Sequence, residues 1–130
     1  MLSNFKIDQV ATFAGLVFLS CEAKLGFQST SQETTKDGTP KWEVQVLGAC
    51  RDGFGKTNNE VVKVGIASHS NPGDTIPAFA PVNLVDFEVG VMERTKKDQN
   101  GQERVIGATV WFRASKIRAN AEVPASGKAA

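Results

Sequence analysis

Histidine, cysteine, long apolar runs and an excess of either charge are all scarce in this chain, and each scarcity removes a class of function. His69 is the only histidine and lies in the polar stretch Ser68-His69-Ser70-Asn71. Imidazole-based nucleophilic catalysis therefore has one candidate base and no visible partners, and no Cys/His cluster has the spacing of a zinc site. The two cysteines, Cys21 and Cys50, each end an apolar run and read as buried free thiols. Fifteen Lys and Arg against fourteen Asp and Glu leave a net charge of +1, so no whole-molecule field draws in a polyanion. The apolar run from Val10 to Cys21 is shorter than the roughly 20 residues a membrane-spanning helix needs. Asp8 stands before it, where a secretion signal carries positive charge, and Phe18 is a poor first residue for a lipoprotein processing site. A buried strand accounts for the same residues. The expectation is a cytoplasmic protein, not an enzyme, with no metal, cofactor or membrane partner.

What is present is strand. A chain of 130 residues, 41% hydrophobic and 22% charged, has the make-up of one globular domain with a single core. Proline and glycine clusters cut it into short pieces. Ala11 to Ala23, rich in β-branched and aromatic residues, reads as one long strand with Gly15 at a bend or bulge. Gln28 to Pro40 is a polar loop with an Asp37-Gly38 turn. Trp42, Val44 and Val46 share the core face of the next strand. A glycine-rich connection from Arg51 to Asn59 leads to Glu60–Ser68, with Val62, Val64 and Ile66 inward and Lys63 outward. Asn71-Pro72-Gly73-Asp74 is a turn, and Ile76–Pro81 is extended, with Phe79 as its anchor. Val82–Met92 reads as a strand with Val85, Phe87, Val89 and Val91 inward and Asp86 and Glu88 on a solvated face. A charged hairpin tip turns at Asn100-Gly101. Ser115 is placed to cap a short helix through Asn120, and residues 123–130 read as a disordered tail after a domain of residues 1–122. Five strands with two hairpins predict an all-β fold, a small five-stranded antiparallel barrel of the OB-fold type, with a β-sandwich as the alternative.

The stretch Ile106 to Ala114 carries the functional signal. Ile106, Ala108, Val110, Phe112 and Ala114 form one alternating set and are expected inside. Gly107, Thr109, Trp111 and Arg113 form the other and are expected outside. An indole beside a hydroxyl and a guanidinium on a solvent face suits the stacking of a nucleobase with its phosphate. The alternative is that this face is covered by the chain itself or by a partner. Gly53-Phe54-Gly55-Lys56-Thr57 is the one segment resembling a phosphate loop, but Cys50 stands where that motif needs its first glycine, and a strand follows instead of a helix. It reads as a hairpin loop. In a barrel of the expected type the second and third strands and their loop border the ligand groove, so Arg51, Phe54, Lys56 and Lys63 join Trp111, Arg113 and Thr109 as candidate nucleic-acid contacts.

The layout also resembles a family. The runs Ala11-Thr12-Phe13-Ala14-Gly15-Leu16-Val17-Phe18 and Lys41-Trp42-Glu43-Val44-Gln45-Val46 resemble the opening of small single-stranded-DNA-binding (helix-destabilising) proteins of conjugative elements and plasmids. Trp111-Phe112-Arg113-Ala114-Ser115-Lys116-Ile117 resembles the way such chains close their last strand. The resemblance implies an oligonucleotide-binding barrel that coats single strands without sequence preference, in plasmid or phage DNA replication or transfer. The chain departs from it in its near-neutral charge and in having Glu122 as the only acid of its C-terminal segment. Exposed apolar strand faces add a homo-oligomer to the expectation. The competing reading is a non-catalytic structural domain of a phage or mobile element that self-associates through the same outer face.

Overall fold

The most deeply buried side chains come from two strands whose apolar residues alternate regularly, Lys41–Arg51 and Thr57–Ala67. Val44, Val46 and Val64 have no exposed surface, and Val62 and Ile66 lie beside them. The computed structural model describes residues 4–51 and 54–120. Its elements are β1 (Asn4–Lys6), α1 (Gln9–Thr12), β2 (Phe13–Ala23), β3 (Lys41–Arg51), β4 (Thr57–Ala67), β5 (Val82–Val85), β6 (Glu88–Lys97), β7 (Glu103–Arg113) and β8 (Lys116–Ala119). Six strands form one sheet curled into a half-barrel, in the order β1-β6-β7-β4-β3-β2, and β5 pairs with β8 in a second, two-stranded sheet. One core joins them, with Phe13, Leu16 and Phe18 of β2, Val82 and Leu84 of β5, Phe87 and Ile117 all in a single cluster.

The all-β expectation holds, but several details differ. The sheet is not wholly antiparallel, because β4 and β7 run parallel where they meet, at Val64↔Phe112 and Gly65↔Arg113. The crossover after β4 delivers β6 beyond the place of β7, and the tight β6–β7 hairpin then returns the chain beside β4 in the same direction. The segment Val82–Met92 is two strands. Asp86 adopts a left-handed backbone (φ 54°), which aspartate tolerates, and the chain passes there from the small sheet to the large one. Side-chain parity changes with it: Val82, Leu84 and Phe87 are buried, while Val85, Val89 and Val91 are half-buried. No helix follows Ser115. Its hydroxyl donates to Asp86 Oδ2 (2.9 Å) and the Val85 carbonyl (3.2 Å), and residues 116–119 form β8 because β5 offers them a partner edge. Phe79 is 70% exposed, and Ile76 anchors that segment instead. Trp42 sits half-buried at the core rim, its Nε1 donating to the Ser68 carbonyl at 2.8 Å. The strand expected from Ala11 begins at Phe13, because Asp8 caps the single turn of α1 by accepting from the Ala11 N–H. Register irregularities follow at Phe13/Gly15 and Phe18/Ser20. The tail expected over 123–130 lies outside the described residues.

One polar side chain ties the two sheets together. The Gln9 amide donates to the Val82 carbonyl (3.2 Å) and Asn83 Oδ1 (3.0 Å) and accepts from the Leu84 N–H (2.9 Å), so it bonds β5 as a neighbouring strand would. Gln9→Ala leaves part of the β5 backbone unpaired. It is expected to lower stability by about 1–2 kcal/mol, seen as an earlier urea midpoint. An unchanged midpoint would show that water replaces the amide without loss.

Candidate nucleic-acid interface

Beyond their two shared pairs, β4 and β7 part, and a cleft of about 1130 Å³ lies around the junction. Val61, Lys63 and Gly65 of β4 and Trp111 and Arg113 of β7 form part of its lining, which also includes the core-side residues Phe13, Val62 and Phe112. Lys63, Gly65, Trp111 and Arg113 share the outer face of the sheet, since their neighbours Val62, Val64 and Ala114 point into the core. Trp111 therefore faces outward, as strand alternation predicts, and is 38% exposed.

The indole is held in place by a residue that has no side chain. Trp111 lies opposite Gly90 of β6. A Cβ built on Gly90 would fall 2.2 Å from Trp111 Cε2 and 2.5 Å from Cζ2 and Nε1. The ring thus crosses from its own strand onto β6 and rests in the space that any other residue at position 90 would fill. Beside it Arg113 is already engaged, its Nε and Nη2 both donating to Glu88 Oε1 at 2.9 Å. Glu88, expected on a plain solvated face, is the cross-strand partner that orients this guanidinium.

The remaining candidates do not converge. Thr109 is exposed, two residues before Trp111 on the same strand face. Phe54 (94% exposed) and Lys56 belong to the β3–β4 turn. That turn is about 25–30 Å along β4 from the level of Arg113, at the usual rise per residue. Arg51 closes β3 opposite Thr57, and its side chain lies outside the described set. One cleft therefore brings together Trp111, Arg113 and Lys63.

The expected inner set of β7 is buried only at its end. Ala114 is buried and Phe112 half-buried, but Ile106 and Val110 are 56% and 51% exposed. Residues 92–97 and 103–106 are all exposed, so the distal half of the β6–β7 hairpin is a two-stranded arm standing clear of the core. The charged residues from Arg94 to Arg104 marked a hairpin tip in the sequence, but the unbroken alternation from Ile106 to Ala114 gave no sign that β7 leaves the core before its end.

Other chemistry is sparse. Cys21 and Cys50 are free and half-buried, and desolvation pushes both thiols up from their ordinary pKa, away from the reactive thiolate. His69 is exposed in its loop. Among the described residues no group of three His, Cys, Asp or Glu is placed to hold a metal, and no helix is long and apolar enough to cross a membrane. No protein-family model matches the chain, and no curated protein matches it.

Proposed function

We propose that this protein is a non-catalytic single-stranded-DNA-binding domain that takes bases on Trp111 and backbone phosphates on nearby cations. The observation that carries the reading is the partly exposed indole laid over Gly90 beside the β4–β7 cleft. A ring so large is rarely left at a surface unused, and base–aromatic stacking is worth about 1–3 kcal/mol per base whatever the base. The long strands β2, β3, β4, β7 and β6, adjacent in that order, are compatible with a partly open five-stranded Greek-key barrel of the oligonucleotide-binding kind. The resemblance noted above sets the activity in replication or transfer of plasmid or phage DNA.

The test is a titration with single- and double-stranded oligonucleotides at two salt concentrations. Quenching of tryptophan emission by the single strand, weaker binding of the duplex and a steep loss with salt are expected. Unchanged emission at every concentration of single strand would sink the reading. Glu88 gives an internal check. Glu88→Gln releases the Arg113 fork, so single-strand affinity should rise roughly three- to fivefold at low salt. A fall would mean that Glu88 serves mainly to hold Arg113 in its binding position.

A second reading rests on the exposed Val105 and Ile106 of the arm and on Val110 further along β7. It makes the protein a self-associating domain, a homo-oligomer through its outer strands. Emission that shifts on dilution but not with DNA would favour it.

A further inference from the structure

Three of the four cations of the β6–β7 arm are sorted onto one side of it. Opposed residues in an antiparallel pair share a face, so Trp111 shares its face with Gly90, Met92 and Thr109, and Arg94 and Gly107 follow. The Arg94 side chain lies over this face. A Cβ on Gly107 would lie 2.9 Å from Arg94 Nη2 and 3.6 Å from its Cζ and Nε. The two strands thus repeat one arrangement in opposite senses. The Trp111 ring crosses from β7 onto Gly90, and the Arg94 guanidinium crosses from β6 onto Gly107. Gly90 and Arg94 are four residues apart, about 13 Å along the ribbon.

A bulge then decides the charge of this face. The register passes from Arg94↔Gly107 to Thr95↔Val105, leaving Ile106 unmatched. Simple alternation from Trp111 would bring Val105 and Glu103 onto its face. The extra residue instead turns Arg104 onto it, opposite Lys96, and sends Glu103 to the far side opposite Lys97. Beyond Met92 the paired residues of the Trp111 face are therefore Arg94, Lys96 and Arg104, while Glu93, Lys97 and Glu103 fall on the other face; Asp98, next along in the turn, has its carboxylate tied to the Asn100 and Gln102 N–H groups. All three cations are exposed, and among the described residues none is in an ion pair.

We propose that this arm is the second half of the single-strand site: a strand stacked on Trp111 runs outward along the ribbon, meets the Arg94 plane, and lays its phosphates on Lys96 and Arg104. Guanidinium planes accept stacked bases as aromatic rings do, and lysine and arginine neutralise phosphate. From Gly90 to Lys96 the face is about 20 Å long, which suits a short site on the order of four nucleotides. The inference rests on the single-strand reading above and gives that site its direction and length.

The experiment measures affinity for oligothymidylates of roughly 2 to 12 nucleotides, for the wild type and for Arg94→Gln/Lys96→Gln/Arg104→Gln. The wild type should gain affinity until the oligonucleotide spans the arm. The triple variant should plateau at the shortest lengths, bind the longest at least tenfold more weakly, and lose about 2 from its logarithmic salt slope. Equal affinity of both proteins for the long oligonucleotide overturns the arm proposal and leaves the Trp111 reading standing. Equal loss at every length also overturns it, because the cations would then act only as a general field. Failure of the wild type to bind any length overturns both. Insertion of one threonine between Arg94 and Thr95 supplies an independent test without removing a charge. It gives Ile106 a partner, restores simple alternation along β7 in an exposed ribbon, and brings Lys97 and Glu103 onto the Trp111 face in place of Lys96 and Arg104, so long-oligonucleotide affinity should fall at least fivefold. Undiminished affinity would overturn the role given to the bulge.

Discussion

Replacing Gly90 with valine is expected to cut single-strand affinity about tenfold, although Gly90 has no side chain to offer a base. Trp111 Cε2 lies 2.2 Å from the Cβ position at residue 90, and Cζ2 and Nε1 lie at 2.5 Å. Carbon atoms in contact stand about 3.5–4 Å apart, so the ring must leave. The backbone has no reason to follow, because β6 is extended there and valine suits a strand. With solvent open to the displaced ring, the overpacking cost should fall at the low end of about 1–3 kcal/mol. Gly90→Ala should behave nearly as Gly90→Val, since the clash begins at Cβ. Fluorescence anisotropy with a labelled oligonucleotide reads the affinity, and the Trp111 indole N–H resonance reports whether the ring has moved. A moved resonance with unchanged affinity would remove Trp111 from the binding surface. An unmoved resonance would mean that the β6–β7 pair opens to keep the ring in place.

The second large effect is that of the ring itself. Trp111→Ala should lose at least tenfold in single-strand affinity, about 1.4 kcal/mol, with its largest relative effect on the shortest oligonucleotides. Removing a core aromatic typically costs about 3–5 kcal/mol of stability. Trp111 is 38% exposed and lies outside the buried cluster, so the urea midpoint should move far less than that cost implies. Trp111→Phe should recover part of the affinity, because a smaller aromatic still stacks. If both variants bind as the wild type does, the indole is a cover for Gly90 and nothing more. A large shift in midpoint would make it a structural residue of the hairpin.

Period-two alternation placed the strands at Val44–Val46 and Val62–Ile66 and the outward parity of Trp111, because strand geometry is local and each residue's face follows from its neighbours. Turn residues likewise located Asp37-Gly38, Asn71-Pro72-Gly73 and Asn100-Gly101. Tertiary structure alone decided the rest. Ser115–Asn120 became a strand because β5 presented an unpaired edge. Val82–Met92 divided at Asp86 because two sheets compete for one segment. The parallel β4–β7 junction, the cleft beside it and the Gly90 seat of Trp111 depend on which strands lie side by side, and spacing along one strand carries no record of its neighbour. The charge sorting on the arm has the same origin. The cations and acids are plain in the chain, but a single unmatched residue, Ile106, determines which of them face the same way, and that register exists only once two strands have paired.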